Sequence, residues 1–224
     1  MKIGDHLTLT EEDNMGLMAR YKPNHFDLAI VDPPFGIDVV KKYKAKRVHD
    51  AKIWRGLGEN RDTGSDWDLK PPTAEYFKEL KRVSKHQITM GGNYFGLKGG
   101  YLFIHKQCEG SLPSNSDGDL AHLSMYTKNF YCFLKAPRYW GALEHMNPKK
   151  IHMTQKRVEL YEYLLRTFAK KGDKILDTHL GSGSIAVACH RLGFNLTACE
   201  IDKIMFERMI KRVKLETIQK VLAL

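Results

Sequence analysis

The chain has 224 residues, 42% of them hydrophobic and 28% charged, which is the composition of an ordinary globular domain. It contains no apolar stretch long enough to cross a bilayer, and its first residues lack the apolar segment of a signal peptide. We therefore expect a cytoplasmic protein without a membrane partner. Lysine and arginine (36) outnumber aspartate and glutamate (26), and the resulting charge of +10 favours a polyanionic partner.

The N-terminal part of the chain alternates strand and helix patterns. The apolar run FDLAIV at 26–31 predicts a strand buried on both faces, and it ends at Asp32-Pro33-Pro34 because proline lacks the N–H of a strand ladder. The other elements predicted here are a strand at 7–10, a helix at 14–20, a helix at 73–83 and a strand at 87–90. Residues 36–72 have no such pattern and are too long for an ordinary connection, which predicts a functional or mobile loop.

The C-terminal part continues the alternation. The predicted elements are strands at 101–104 and 120–127, a strand at 131–134 that completes a hairpin, a helix at 156–169, a strand at 174–177, a helix at 185–192, a strand at 195–199 and a final helix from near Asp202. Alternating strands and helices predict an α/β fold with a mostly parallel sheet and helices on both faces.

A glycine loop, HLGSGS at 179–184, separates a predicted strand from a predicted helix. Glycines let the backbone approach a ligand closely, and a helix N-terminus presents free N–H groups. The loop lacks a Walker lysine, which argues against a triphosphate. Asp177 before the loop can bind an amino group, and Glu200 at the next strand end can accept ribose hydroxyls. A ligand with both features, such as S-adenosylmethionine, fits; the alternative is an ordinary structural turn.

A second motif, Asp32-Pro33-Pro34-Phe35, follows the buried strand. An aromatic amine is a poor nucleophile because its lone pair is delocalised, and acceptors around its N–H groups favour a usable lone pair. Asp32 can supply one acceptor, the Pro33 carbonyl another, and Phe35 a flat face for an extruded base. A strand-ending turn with a capping aspartate is the alternative.

Taken together, these motifs resemble the permuted β-type DNA amino-methyltransferases, the DNA methylase N-4/N-6 family, in its adenine-N6 branch. In that family a (D/N/S)PP(Y/F) tetrapeptide precedes the cofactor loop, and here Asp32 precedes Asp177 by 177 − 32 = 145 residues. The segment 152–156 resembles the family's HxTQKP stretch, and 91–95 resembles its GGNYF segment. The chain departs from the pattern at Arg157 and Met153, where proline is usual, and at Phe35, where tyrosine is usual.

The resemblance implies a single Rossmann-like methyltransferase domain over 1–224, with a mixed, mostly parallel sheet. Its implied cofactor is S-adenosylmethionine, and its implied catalytic residues are Asp32, Pro33, Pro34 and Phe35. The implied cofactor-binding residues are Asp13, Thr154, Lys156, Asp177, His179, Leu180, Gly181, Ser182, Gly183, Ser184 and Glu200.

The resemblance also implies methyl transfer to the N6 amino group of adenine in a base flipped out of double-stranded DNA. We expect DNA phosphates to be contacted by the 36–72 loop through Lys41, Lys42, Lys44, Lys46 and Arg47, and sequence recognition to involve an insert at 109–147. A homodimer and a cognate restriction endonuclease are partners that the resemblance allows. The alternatives are methylation of cytosine N4 or of an RNA base, and a catalytically silent regulator that binds DNA or cofactor.

Neither histidines nor cysteines match a metal site. The spacing of His105, His122, His145, His152 and His179 fits no zinc pattern, so we expect none. The four cysteines include no CxxC pair, and Cys189 and Cys199 are predicted to be buried thiols.

Overall fold

The computed structural model describes residues 1–38, 67–105, 118–126, 131–135, 151–152 and 154–218, and for 131–135 it describes the backbone. The chain divides into two compact units. The first unit comprises Met1–Asp32, Thr73–Ile88 and Thr154–Leu224, and the second comprises Pro33–Pro72 and Thr89–Met153.

The first unit is built on six neighbouring strands. In chain order they are β1 (Lys2–Ile3), β2 (Leu7–Glu11), β3 (Phe26–Val31), β4 (Ser84–Met90), β8 (Lys174–Asp177) and β9 (Asn195–Glu200). Their order across the sheet is β1-β2-β9-β8-β3-β4. The pairs β2–β9, β9–β8 and β8–β3 are all parallel, and β1 is antiparallel to β2. The parallel sheet predicted from the alternating pattern is therefore confirmed.

In the described part of this unit, five helices accompany the strands: α1 (Asn14–Ala19), α2 (Ala74–Val83), α3 (Val158–Phe168), α4 (Ser184–Leu192) and α5 (Lys203–Ile218). The first two begin at side-chain caps, because Asp13 accepts from the N–H groups of Met15 and Gly16, and Thr73 accepts from that of Tyr76. Helix α3 begins at Val158 rather than at 156, since Arg157 is its N-terminal boundary in an extended conformation.

Both faces of this sheet are covered. Successive strand residues point to opposite faces, so Ala29 and Val31 of β3 lie on one face and Leu28 and Ile30 on the other; all four are essentially inaccessible to solvent. Ala29 and Val31 belong to a core cluster with α1 and α2. Helix α4 packs on β2 and β9, and α3 and α5 pack on α4. The prediction of helices on both faces is confirmed.

The second unit contains three strands and a short 3-10 helix among its described residues. They are β5 (Gly100–His105), β6 (Gly118–Leu123), β7 (Tyr131–Lys135) and the 3-10 helix Gly92–Phe95. The strand order is β6-β5-β7, with β5 antiparallel to β6 and parallel to β7.

Two sequence predictions in this unit are wrong. The strand at 131–134 exists, but it completes no hairpin: Tyr131 of β7 is in register with Tyr101 of β5, whose other edge is taken by β6. The apolar pattern identifies a strand but not its partner, because pairing is a tertiary choice. The strand predicted to reach 127 ends at Leu123, where the N–H of Tyr126 donates to the Leu123 carbonyl in a turn.

Two other features of the described residues bear on the sequence predictions. Cys189 and Cys199 are buried free thiols, as predicted, and burial raises the pKa of both. Within the described ranges, no helix has the length and apolarity that crossing a bilayer requires.

Candidate active site

Four predicted site residues with carboxyl groups lie at or just beyond the carboxyl ends of parallel strands in the first unit. Asp32 follows β3, Asp177 ends β8, Glu200 ends β9, and Asp13 lies two residues after β2. Because these strands are parallel neighbours, their carboxyl ends meet at one edge of the sheet, the usual ligand-binding edge of an open α/β sheet. The fold thus gathers acids that are up to 187 residues apart (200 − 13) in the chain.

Glu200 is held by the backbone of the glycine loop. The N–H of Gly181 donates to Oε2 of Glu200 at 2.8 Å, and the N–H of Asp202 donates to Oε1 at 3.0 Å. Burial raises the pKa of Glu200, and these two N–H groups act against that rise because they stabilise the carboxylate. The carboxylate is therefore fixed in orientation, with remaining lone pairs that can accept hydroxyl groups.

Glycine is favoured at the two positions of the loop for different structural reasons. Gly181 has φ +50°, and a Cβ added there would meet nothing closer than the His179 carbonyl oxygen at 3.8 Å. At Gly183, with φ +77°, an added Cβ would overlap Met209 and Val213 of α5 at 2.6 and 2.8 Å. Gly181 thus has open space beside its backbone, whereas Gly183 lets α5 pack closely against the start of α4.

The rest of the loop is tied into the first unit. The N–H of Leu180 donates to the Cys199 carbonyl, and the side chains of Ser182 and Ser184 lie 3.3 Å apart. Arg212 of α5 donates to the Ser182 carbonyl and to Oγ of Ser184. Leu180, Ser182 and Ser184 are buried, so these three residues support the loop from within.

His179 belongs to a hydrogen-bonded network rather than to a group of charges. Its Nδ1 lies 3.0 Å from Oγ1 of Thr178, its Nε2 lies 3.1 Å from Nδ2 of Asn14, and Thr178 contacts the Tyr76 hydroxyl at 2.7 Å. Burial lowers the pKa of His179 to about 4, and the nearby negative charge of Asp13 offsets this only in part. His179 is therefore neutral near pH 7, and as a donor and acceptor it orders the start of the loop.

Asp177 is a buried acid with a raised pKa. Burial, together with the negative charges of Asp32 and Glu200, raises its pKa to about 8, although the N–H of His179 donates to its Oδ1 at 2.9 Å. The same crowding raises the pKa of Tyr161, through burial and then through Asp32 and Asp177. A cation brought to this edge would relieve the repulsion, so the geometry suits a ligand with a positively charged group.

Lys156 brings a positive charge to Asp32. Its Nζ lies 3.2 Å from Oδ2 of Asp32, and both side chains are more than four-fifths shielded from solvent. The Lys156 carbonyl accepts from Oγ of Ser184 at 2.6 Å, which links this segment to the start of α4. Thr154, two residues earlier, is half-buried.

In the second unit, the Phe35 ring lies in an aromatic cluster. It stacks on Tyr94 with ring centroids 4.8 Å apart and planes 10° from parallel, and Phe95 meets it edge-on at 6.1 Å. Gly91, with φ +64°, makes this packing possible, because an added Cβ would lie 2.4 Å from the Phe35 ring. Tyr94 is 54% exposed, so this cluster offers ring surface to solvent. In the tetrapeptide, Pro33 is buried and Pro34 half-buried.

Asp68 is a site residue that the sequence interpretation missed. Its buried carboxylate accepts from the N–H of Phe35 at 2.8 Å and from that of Gly36 at 3.0 Å, both through Oδ1. The Asp68 carbonyl also accepts from the N–H of Asp38. Asp68 thus fixes the turn that follows the two prolines. The only signal in the sequence was an acid beside Trp67 in the unpatterned segment 36–72, and a distant backbone contact cannot be recognised from that.

Several predicted sites lie outside the described residues. They include all five basic residues of the proposed DNA-contacting loop (Lys41, Lys42, Lys44, Lys46 and Arg47) and most of the predicted insert at 109–147. Among the residues that the structure does describe, no group of three or more histidine, cysteine or acidic side chains is arranged to hold a metal ion.

Comparisons with known proteins show which family and which solved structures the chain is similar to. Residues 124–212, which carry the glycine loop, Asp177, Lys156 and Glu200, match the family model described as DNA methylase. The chain resembles the DNA methylases. The resemblance predicted from the motifs is therefore confirmed at the level of the family. No curated protein matches the chain.

Solved structures share the fold over nearly the whole chain. The M1.HpyAVI–SAM complex is 15% identical with a TM-score of 0.53, covering 92% of this chain and 98% of that one. TTHA0409 from Thermus thermophilus, complexed with S-adenosyl-L-methionine, is 13% identical with a TM-score of 0.53 and 94% coverage of both chains. The cytosine-N4-specific PvuII DNA methyltransferase is 10% identical with a TM-score of 0.53, covering 96% and 92%. The TM-scores and coverages establish a shared fold, and they confirm the predicted Rossmann-like α/β architecture.

Proposed function

We propose that this protein is an S-adenosylmethionine-dependent DNA methyltransferase that modifies the exocyclic N6 amino group of adenine in a flipped base. One observation carries the proposal: Asp32, Asp177 and Glu200 all lie at the same edge of the parallel sheet, where their strands end. Asp32 is also the first residue of the DPPF tetrapeptide. The matching family model and the shared fold support the same class of enzyme.

The residues of the first unit fit S-adenosylmethionine. Its ribose carries two hydroxyl groups for the oriented carboxylate of Glu200, and Gly181 leaves open backbone beside that carboxylate. The ammonium group of S-adenosylmethionine would place a positive charge beside buried Asp177 and so stabilise its carboxylate. The bound cofactor would supply a methyl group from its sulfonium, and the rest of the cofactor would remain as a neutral thioether. The residues of this chain bind and orient the reactants.

The tetrapeptide acts on the acceptor base. Asp32 accepts a hydrogen from the amino group and draws the nitrogen lone pair out of conjugation with the ring, and the Pro33 carbonyl accepts the other hydrogen. The nitrogen loses one proton as the new carbon–nitrogen bond forms, and Asp32 is the acceptor at hand. Phe35 stacks on the base, which a duplex presents only after flipping. No covalent enzyme intermediate is needed.

Adenine is favoured over cytosine because the tetrapeptide begins with aspartate, whereas cytosine-N4 enzymes of the resembling family usually have serine there. DNA as the acceptor is supported by the charge of +10 and by the basic cluster from Lys41 to Arg47 that follows the tetrapeptide in the chain. Cytosine N4 is the second candidate, since the PvuII enzyme with this fold is cytosine-N4-specific.

The test is direct product identification. The purified protein is incubated with labelled S-adenosylmethionine and unmethylated duplex DNA, the DNA is digested to nucleosides, and the product is identified by mass spectrometry. We expect N6-methyldeoxyadenosine. N4-methyldeoxycytidine would keep the mechanism and change the base. Cofactor binding without any methylated DNA would contradict the proposed activity. In a parallel reaction with RNA, methylation would favour an RNA acceptor, and its absence would favour the silent regulator.

A further inference from the structure

The contact between Lys156 and Asp32 joins two motifs that are 124 residues apart in the chain (156 − 32). Nζ of Lys156 and Oδ2 of Asp32 are 3.2 Å apart, and the two side chains are only 18% and 17% exposed. An ion pair so shielded is screened little by salt or water, so each charge has a large effect on the other.

The backbone of Lys156 is fixed independently of this contact. Its carbonyl accepts from Oγ of Ser184, which also receives a hydrogen bond from Arg212 at 3.0 Å. Helix α3 begins immediately afterwards, with Arg157 at its N-terminal boundary. The Lys156 side chain therefore extends to Asp32 from a backbone that is held in place, which a residue that positions another side chain requires.

Asp32 lies among other groups that carry or can acquire a negative charge. Asp177 from β8 is close enough for the charge of Asp32 to raise its pKa, and Tyr161 from α3 has its pKa raised by Asp32 and Asp177. Glu200 from β9 adds to the negative charge at Asp177. Arg212 from α5 supplies a positive charge, but it is bonded to Glu216. Lys156 provides the opposing charge directly at the Asp32 carboxylate.

We propose that Lys156 is a positioning residue for Asp32, keeping its carboxylate ionised and oriented to accept one amino hydrogen of the target base. This rests on the proposed function. It differs from the role that the family resemblance implies for Lys156, which is binding of the cofactor. Lys156 transfers no proton in this role: its ammonium group keeps its charge throughout, and the proton lost by the amino nitrogen goes to Asp32.

A distinguishing experiment replaces Lys156 in the full chain. Lys156→Met removes the charge and keeps the apolar stem, Lys156→Gln keeps a donor without charge, and Lys156→Arg keeps the charge. Lys171→Met is the matched control, because it removes one positive charge from an exposed turn of the same unit. For each variant, kcat and its pH profile are measured at saturating DNA and cofactor, together with the Kd for S-adenosylhomocysteine.

We expect Lys156→Met and Lys156→Gln to lower kcat at neutral pH by about 10- to 100-fold. The acidic limb of the kcat profile should move up by about one to two pH units, because loss of an opposite charge favours the neutral carboxyl. Lys156→Arg should restore the position of the limb, and Lys171→Met should match the unsubstituted protein. The Kd for S-adenosylhomocysteine should stay within about threefold, roughly 0.7 kcal/mol.

A second readout does not depend on activity. In cofactor-free protein labelled with 13C at the aspartate carboxyl groups, the Asp32 resonance is assigned through Asp32→Asn and followed against pH. It should titrate at higher pH in Lys156→Met than in the unsubstituted protein. An unchanged Asp32 titration, or a variant with a weaker Kd for S-adenosylhomocysteine but normal saturating kcat, would overturn the positioning role. An unsubstituted protein that methylates no nucleic acid would instead contradict the proposed function, whatever the titration shows.

Discussion

The acidic edge of the first unit and the aromatic cluster of the second unit are built in opposite ways. Asp177 and Glu200 are withdrawn from water and held by backbone N–H groups, and burial raises the pKa of both. Phe35 and Tyr94 instead stack on each other with Tyr94 exposed. Exclusion of water strengthens electrostatic interactions at a charged site, whereas an aromatic surface must stay accessible to the base that stacks on it. Changes at the acidic edge should therefore depend on pH, and changes in the aromatic cluster should not.

The largest effect is expected at Asp32. Asp32→Ala removes the proposed acceptor for one amino hydrogen, and we expect kcat to fall by about 10²- to 10⁴-fold, the range for loss of a positioned acid or base. The Kd for S-adenosylhomocysteine should change far less. Single-turnover methylation at saturating cofactor measures the first quantity and calorimetry the second. A near-normal rate with intact cofactor binding would remove Asp32 from the mechanism.

Asp177 tests the cost of a buried acid. Its pKa is raised from 3.8 to about 8 in the folded protein, so between these values the folded state holds a proton that the unfolded chain has released. The free energy of unfolding contributed by this group therefore falls as pH rises from about 4 to about 8. Asp177→Asn cannot ionise and keeps an oxygen for the His179 N–H, so it should stabilise the cofactor-free protein at pH 8.

We expect that stabilisation to be on the order of 5 kcal/mol at pH 8 and to vanish near pH 4. Urea unfolding at the two pH values measures it. The same variant should bind S-adenosylhomocysteine more weakly, because its amino group loses a charged partner. A gain in stability that is equal at both pH values would contradict the raised pKa of Asp177.

Asp68 tests the support of the tetrapeptide in the second unit. Asp68→Ala leaves the N–H groups of Phe35 and Gly36 without the acceptor that they share. Each unsatisfied buried group costs about 1–3 kcal/mol. Because Phe35 and Gly36 are only half-buried, we expect a smaller combined loss of about 2–4 kcal/mol in unfolding free energy and a lower kcat. Asp68→Asn keeps one oxygen acceptor and is the control. If Asp68→Ala unfolds like the control, the carboxylate does not hold the turn.

Phe35 should give the smallest effect of the four. Phe35→Ala removes a stacking surface worth about 1–3 kcal/mol per base, while Phe35→Tyr keeps it. Binding of duplex DNA carrying 2-aminopurine at the target position, followed by fluorescence, should weaken accordingly in Phe35→Ala. The loss should be the same at pH 6 and pH 8. A loss that varies strongly with pH would mean that the ring acts through the carboxylates, and the contrast between the two regions would fail.

Much of the molecule could be predicted from the sequence because the signals are local. The apolar run at 26–31 and the strand at 174–177 have the bounds seen in β3 and β8, and the glycine loop lies between a strand and a helix as its residues indicate. The two acids that end strands, Asp177 and Glu200, and the tetrapeptide after β3 could be found in the same way. Local backbone preference, and burial of a strand on both of its faces, can be recognised from the types of consecutive residues.

Contacts between distant residues were decided only by the tertiary structure. Strand pairing placed β7 beside β5 rather than in a hairpin, and packing set Gly183 against α5 rather than leaving it open like Gly181. The fold also brought Asp68 to the Phe35 turn and joined Lys156 to Asp32. The sequence by itself indicated most of the candidate side chains for the chemistry, since residue type and local spacing suffice to propose them. Which of them touch, and how far burial shifts their charges, depends on chain segments that are distant in the sequence, and no local pattern encodes it.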